Sequence, residues 1–298
     1  MTDAIMDSKK RQEKDENRSQ GISGGLYLVA TPIGNLRDIT LRALDVLAGV
    51  DLILAEDTRH SRKLLDRHGL RTPMRPYHEH NADNVRDGIL RALQDGQAIA
   101  LISDAGTPLV SDPGFKLVRA VAEAGLRVLP IPGPSAVLAA LCASGLPSDR
   151  FLFAGFAPAK QISRQKFFSE FVATPASLVF FESPNRLLAS LQDMLEVFGP
   201  RPAVLARELT KIHETLVRNP LPQLIENLST HKIRGECVVV VGPPETQALQ
   251  MSQAQIDMAL IAAMERFGVK AAAREVAQIT GLPMRELYAQ ALVLKQQS

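Results

Sequence analysis

Three short segments concentrate the residue types that hold a small polar ligand: Thr31–Asn35 (TPIGN), Ser103–Gly114 (SDAGTPLVSDPG) and Ile131–Ala136 (IPGPSA). Each closes a strand-like apolar run, and in an open parallel sheet ligands bind at the carboxyl ends of strands. Gly34, Gly106 and Gly133 lack the Cβ that keeps a backbone away from its ligand. Ser135 stands where it can cap the following helix and leave backbone N–H groups pointed into the same crevice. A tight strand-to-helix turn would account for any one segment. Three together point to a cleft.

The signatures that are missing narrow the chemistry. No segment reads GxGxxG, no GxxxxGK[ST] occurs, and no strand-to-helix turn carries a G-x-S-x-G elbow. A dinucleotide fingerprint, a P-loop and a serine esterase are thereby excluded. His78 and His80 are neighbours without a carboxylate–histidine helix motif, and Cys142 and Cys237 form no CxxC pair, so no metal centre is expected. Both cysteines lie inside apolar segments and read as core thiols of a reducing compartment. The residues by themselves take the reading to an adenosine-sized ligand in a metal-free cleft.

The elements that must position these loops alternate. Leu26–Ala30, Asp51–Ala55, Ala98–Ile102 and Arg127–Ile131 read as strands; Leu41–Ala48, Val85–Gln94, Phe115–Glu123 and Ser135–Leu141 read as helices. That spacing predicts an open, largely parallel α/β sheet over residues 25–145. After the SGLPSDR link the alternation repeats over 146–245, with strands at Phe151–Phe156, Ser177–Phe181, Ala203–Arg207 and Cys237–Val241. Helices are expected there at Gln165–Phe171, Asn185–Val197 and Leu221–Leu228. Residues 246–298 hold three helical runs, Ile256–Phe267, Lys270–Ile279 and Met284–Lys295, and the turn at Gly281-Leu282-Pro283 has a helix–turn–helix look. Residues 1–24 are charged and polar without an apolar run, which predicts a disordered tail and no signal peptide. With 298 residues, 46% hydrophobic and 22% charged, the chain has the balance of an ordinary soluble globular protein, and the core thiols make a cytoplasmic location the expectation. A formal charge of +2 restricts any nucleic-acid surface to a local patch, and no apolar stretch is long enough for a membrane.

Set side by side, the segments LYLVATPIGNLRDITLRAL, AEDTRHS, HEHN, ISDAGTPLVSDPG, LPIPGPSA, SGLPSDRF, FESPNRL, ARELTK and RGE resemble the tetrapyrrole methylase superfamily, most closely its bacterial ribosomal-RNA branch. The likeness runs from about Gly25 to Gly242, and the helical tail is similar to that branch as well. Asn185, where a histidine is common, and Ala82, where an acid is usual, depart from the pattern outside the three loops.

The resemblance implies a two-domain, class III methyltransferase α/β fold with a small C-terminal helical domain. It implies S-adenosylmethionine folded between the α/β domains, touching Pro32, Gly34, Asp104, Ala105, Gly106, Thr107, Pro132, Gly133, Ser135 and Ala136 from the first. Glu182, Ala206 and Gly235 would approach from the second. The acceptor it implies is the ribose 2′-hydroxyl of a cytidine in the decoding region of 16S rRNA, within the small ribosomal subunit, and the working form a homodimer. Asp104 could accept hydrogen bonds from the amino groups or ribose of the donor. A ribose hydroxyl is a weak nucleophile, so a base would help by roughly 10²–10⁴-fold. Glu56 and His80 are the leading candidates, beside Asp57 and His78, and ion pairs with Arg59 or Lys63 compete for the carboxylates. Arg59, Lys63, Arg207 and Lys211 are the expected RNA contacts, with Arg62 nearby, while Lys160, Arg164 and Lys166 read as a solvated face. Two other readings stay open: methylation of a corrin or porphyrin precursor on the same fold, and a non-catalytic RNA-binding assembly factor.

Overall fold

The first strand, β1 (Gly25–Val29), is buried except at the half-buried Leu28, because its side chains alternate between two apolar layers. Tyr27 and Val29 pack on one face with Ala43, Leu47, Ile53 and Ile102; Leu26 packs on the other with Leu54, Leu101 and Leu117. Sheets covered on both faces are characteristically parallel. Here β1, β2 (Leu52–Ala55), β3 (Met74–Pro76), β4 (Ala98–Ile102) and β5 (Val128–Ile131) form one parallel sheet in the order β3-β2-β4-β1-β5. The helices between them are α1 (Leu41–Gly49), α2 (Thr58–Arg67), α3 (Ala82–Gln94) and α4 (Phe115–Glu123), with α5 (Ala136–Ser144) after β5. The order matters for function. It sets β4, β1 and β5 side by side, so the loops after these three strands emerge at one edge.

The computed structural model describes residues 22–79, 81–230, 233–244 and 252–297. Most of the expected tail 1–24 lies outside the described residues. The chain divides into two compact units, ending and beginning at Pro243 and Pro244.

The second half of the larger unit differs from a repeat of the first. Its strands β6 (Phe151–Phe156), β7 (Ser177–Glu182), β8 (Pro202–Arg207), β9 (Thr215–Pro220) and β10 (Cys237–Val241) run in the order β6-β7-β10-β8-β9. Only β6 and β7 pair in parallel; the other three ladders are antiparallel. The cause is β9, a strand whose TLVRNP sequence ends in proline and which returns from β8 as a hairpin. Helices α6 (Gln161–Ser169), α7 (Leu187–Phe198) and α8 (Leu221–Ser229) cover one face, around Phe168, Phe180 and Phe198.

Two expectations need correction here. Arg164 is not part of a solvated face: it is 5% exposed and meets the equally buried Asp193 at 2.5 and 2.6 Å, while Lys160 and Lys166 beside it are exposed. Cys142 is exposed on α5 rather than in the core. Cys237 is buried, and burial pushes its thiol up to about 11.

The smaller unit holds α9 (Gln253–Phe267), α10 (Val269–Thr280) and α11 (Met284–Gln297). Ser252 and Gln255 form a capping box at its start, and Gly281 takes the left-handed conformation (φ 70°) that the turn before α11 needs. Small residues let the helices approach closely, with Leu260, Ala272, Ala273, Val276, Leu287 and Ala291 forming its core. Among the described residues no helix is long and apolar enough to cross a membrane.

Candidate active site

The three loops meet. Thr31 and Gly106 exchange backbone hydrogen bonds of 2.8 and 3.0 Å, joining the β1 loop to the β4 loop. The Thr31 hydroxyl donates to the Ser103 carbonyl at 3.1 Å, and the Thr107 hydroxyl donates to the Pro134 carbonyl at 3.1 Å, which ties in the β5 loop. Gly106 (φ 80°) needs its freedom at the junction. Within the same loop Leu109 (φ 73°) and Ser111 (φ 66°) hold left-handed backbone that costs non-glycine residues of order 1–3 kcal/mol each. Strain of this kind clusters at functional sites.

A cavity of about 530 Å³ opens beside this junction. Its first-half wall includes Asp104, Gly106, Thr107, Asp112, Ser135 and Ala136. Its second-half wall includes Phe156, Phe181, Glu182, Ser183 and Gly235. Ser135 caps α5 by accepting the Leu138 N–H. Glu182 is 3% exposed, and its carboxylate accepts from the Ser183 N–H at 2.7 Å and from the Arg186 guanidinium at 2.8 and 3.0 Å. Asp104 accepts the backbone N–H of Asp57 at 3.0 Å, so it holds the loop after β2 rather than its own turn. Burial and the charge of Asp104 push the Asp112 carboxyl above the ordinary range, against a hydrogen bond from Ser103. Burial, then Asp112, then Asp104 push Glu56 the same way.

A second cavity, of about 420 Å³, adjoins the first, and Ile33, Asp104, Ala105 and Glu236 line both. Pro32, Gly34, Ser61, Lys63 and Lys211 belong to the second alone. Gly34 leaves no room for a side chain, since a Cβ there would stand 2.5 Å from Lys211 Cγ and 2.9 Å from the Leu209 carbonyl oxygen.

A profile of the Tetrapyrrole (Corrin/Porphyrin) Methylases matches residues 25–225, and one of the RsmI C-terminal HTH domain matches 250–295. Ribosomal RNA small subunit methyltransferase I of Mesorhizobium japonicum is 52% identical over 92% of this chain and 93% of its own length. The protein of that name from Pseudomonas aeruginosa is 48% identical over 91% and 97%. The chain belongs to this methyltransferase family. In fold it is similar to the crystal structure of uroporphyrin-III C-methyltransferase from Thermus thermophilus complexed with S-adenosyl homocysteine. The TM-score is 0.52 at 19% identity, covering 74% of this chain and 97% of that one.

Of the residues expected from sequence, the family fold brings Asp104, Ala105, Gly106, Thr107, Ser135, Ala136, Glu182 and Gly235 to the first cavity, and Pro32, Gly34, Lys63 and Lys211 to the second. Pro132 and Gly133 line neither; a Cβ on Gly133 would sit 3.0 Å from that of Ala30, so this turn serves close packing against β1. Ala206 is fully buried among Ile33, Val137 and Val238, behind the wall. Asp57 caps α2 and pairs with the exposed Arg59 at 3.2 Å, which holds its carboxyl below the ordinary range. Glu56 lies off both cavity walls, next to Asp104 and Asp112. His78 lies in the turn before α3, and His80 lies outside the described residues. Arg207 donates to Thr215 Oγ1 and to the carbonyls of His213 and Arg234, and Lys211 bridges Glu208 and Glu236 at 2.9 and 3.0 Å. Among the described residues no cluster of His, Cys, Asp or Glu is arranged to hold a metal ion. Sequence reasoning missed Asp112, Phe156, Phe181, Ser183 and Ser61. The second SD pair of SDAGTPLVSDPG was the one available hint, at Asp112.

Proposed function

We propose that the chain transfers the methyl group of S-adenosylmethionine to the 2′-hydroxyl of a cytidine ribose in the decoding region of 16S rRNA. The observation that carries this reading is the joining of three loops at a cavity whose opposite wall comes from the second sheet. The donor set fits the cofactor. Phe156 and Phe181 offer apolar faces to an adenine, while Asp104, Asp112 and Glu182 offer carboxylates to ribose hydroxyls, an ammonium and a sulfonium. Gly106 and Gly235, both at positive φ, keep backbone low at the wall. The name of the relatives and the S-adenosyl homocysteine in the neighbour of like fold support the same reading.

When bound, the cofactor supplies a methyl already activated on a sulfonium. The protein therefore has mainly to hold, orient and exclude water, and orientation accounts for roughly 7–11 kcal/mol of barrier when reacting groups are held at near-attack distance. Asp104 and Glu236 are the carboxylates common to both cavities, and since Glu236 is paired with Lys211 at 3.0 Å, Asp104 is the one assigned to orient the two reactants. Glu56 and His80 stand as the two candidate proton acceptors, Glu56 lying beside Asp104 and Asp112 but off both cavity walls. Lys63, Lys211, Arg59 and Arg207 are assigned to RNA phosphates, in a cytoplasmic homodimer acting on the small subunit.

The test is incubation of the purified chain and labelled S-adenosylmethionine with small subunits from cells lacking the modification, then digestion to nucleosides. Label in 2′-O-methylcytidine is expected. Label on the cytosine base, or on uroporphyrinogen but not on subunits, would overturn the reading.

A further inference from the structure

The second cavity contains a buried polar group that no hydrogen bond among the described residues satisfies. Ser61, on α2, is 3% exposed and lines this cavity, yet its hydroxyl has no hydrogen-bond partner among the described residues. The helix is intact at that point, since the Ser61 N–H donates to the Asp57 carbonyl at 3.0 Å. A serine inside a helix ordinarily turns its hydroxyl onto the carbonyl four residues back. A buried hydroxyl left without a partner costs about 1–3 kcal/mol, and buried polar groups in native proteins nearly always find one. The Ser190 hydroxyl is likewise without a partner among the described residues, but Ser190 lines neither cavity.

The surroundings of Ser61 have a definite chemistry. Ile33, Leu36 and Leu64 supply apolar wall, while His60, Asp104 and Lys63 supply an imidazole, a carboxylate and an ammonium. Among the described residues Lys63 forms no ion pair, unlike Lys211 across the cavity. A flat heteroaromatic group with a polar edge, joined to a hydroxylated ring and a phosphate, matches that set. The volume falls within the range of small-ligand sites. Position agrees with chemistry: a methyl acceptor has to sit next to the donor, and this cavity shares Asp104 and Ala105 with the first.

We infer that the second cavity receives the acceptor nucleoside, swung out of its RNA strand, and that the Ser61 hydroxyl hydrogen-bonds it there. Proteins that read single-stranded RNA commonly splay a base out and bond its edges, so the occupancy is of an established physical kind. Lys63 at the same cavity meets the adjoining phosphate. This inference rests on the RNA-methylation reading above and assigns the subsite within it.

The experiment is steady-state kinetics on unmodified small subunits with Ser61→Ala, Ser61→Thr and Ser61→Met, together with calorimetric titration of each variant by S-adenosylmethionine. Ser61→Ala should raise KM for subunits about five- to tenfold, the worth of one hydrogen bond, with kcat within about twofold. Ser61→Thr should restore KM, because it keeps the hydroxyl. Ser61→Met should abolish methylation by filling the cavity, and all three should bind S-adenosylmethionine as the unsubstituted chain does. An unchanged KM in Ser61→Ala, or cofactor affinity falling in step with KM, would overturn the subsite while methylation by the unsubstituted chain leaves the function standing. Failure of the unsubstituted chain to methylate subunits would remove both.

Discussion

Asp112 illustrates how a single residue of the site works against the stability of the fold. Its carboxyl is held above the ordinary range by burial and by Asp104, and Glu56 adds a third acid to the neighbourhood. Between the unfolded value, about 3.9, and the raised folded one, the native state binds more protons than the unfolded chain. Its contribution is therefore most favourable at pH below about 4 and is lost as pH rises through the folded value. Asp112→Asn should raise the melting temperature at pH 7 by roughly 1–4 °C, and the difference should close near pH 4. Scanning calorimetry at the two pH values checks this, and an equal or lower melting temperature at pH 7 would contradict it. At this scale the sequence was legible where backbone is the working part. Gly106 and Ser135 declared themselves because a left-handed turn and a helix cap leave residue-type signatures. Phe181 and Ser61 did not, because a phenylalanine on a strand and a serine in a helix look like core and surface until the neighbouring wall is known.

Among elements, the coupling of α6 to α7 through Arg164 and Asp193 is the interaction with the largest structural consequence. Both side chains are buried, and Gln161 and Gln165 donate to the second carboxylate oxygen at 3.2 and 2.9 Å. Truncating one partner leaves the other charge stranded, a loss of about 3–5 kcal/mol. Arg164→Ala should thus lower the melting temperature by ~6–20 °C while leaving S-adenosylmethionine affinity unchanged, because neither residue lines the cavities. A variant that melts within a degree or two of the unsubstituted chain would show the pair to be dispensable. The elements hardest to read in the sequence were α2 and β9. The THR-to-DR run of α2 is so charged that only its buried Ser61, Leu64 and Leu65 betray a packed face. β9 alternates weakly and ends at Pro220, as suits an edge strand. Helix α6 begins at Gln161, earlier than expected, because the lining of its inner face starts with the polar Arg164 rather than with Phe167 and Phe168. The first sheet, by contrast, was legible throughout apart from β3, since β1, β2 and β4 are apolar runs ended by Thr31-Pro32, Glu56-Asp57 and Ser103-Asp104.

At the level of the whole molecule, the larger unit divides the task between two sheets of different pairing. The parallel sheet brings the loops after β4, β1 and β5 together by strand order alone. The mixed sheet turns Phe181 and Glu182, at the end of β7, and Gly235, before β10, toward the same cavity. Neither sheet has the full wall, so on the proposed reading cofactor binding draws on residues from both. Calorimetric titration with S-adenosylmethionine of the unsubstituted chain, Asp104→Ala and Glu182→Gln tests this most directly. The unsubstituted chain should bind one molecule per chain, Asp104→Ala should lose binding, and Glu182→Gln should bind at least tenfold more weakly, a difference of about 1.4 kcal/mol. No binding by the unsubstituted chain, or equal affinity in all three, would contradict a cofactor cleft between the two sheets.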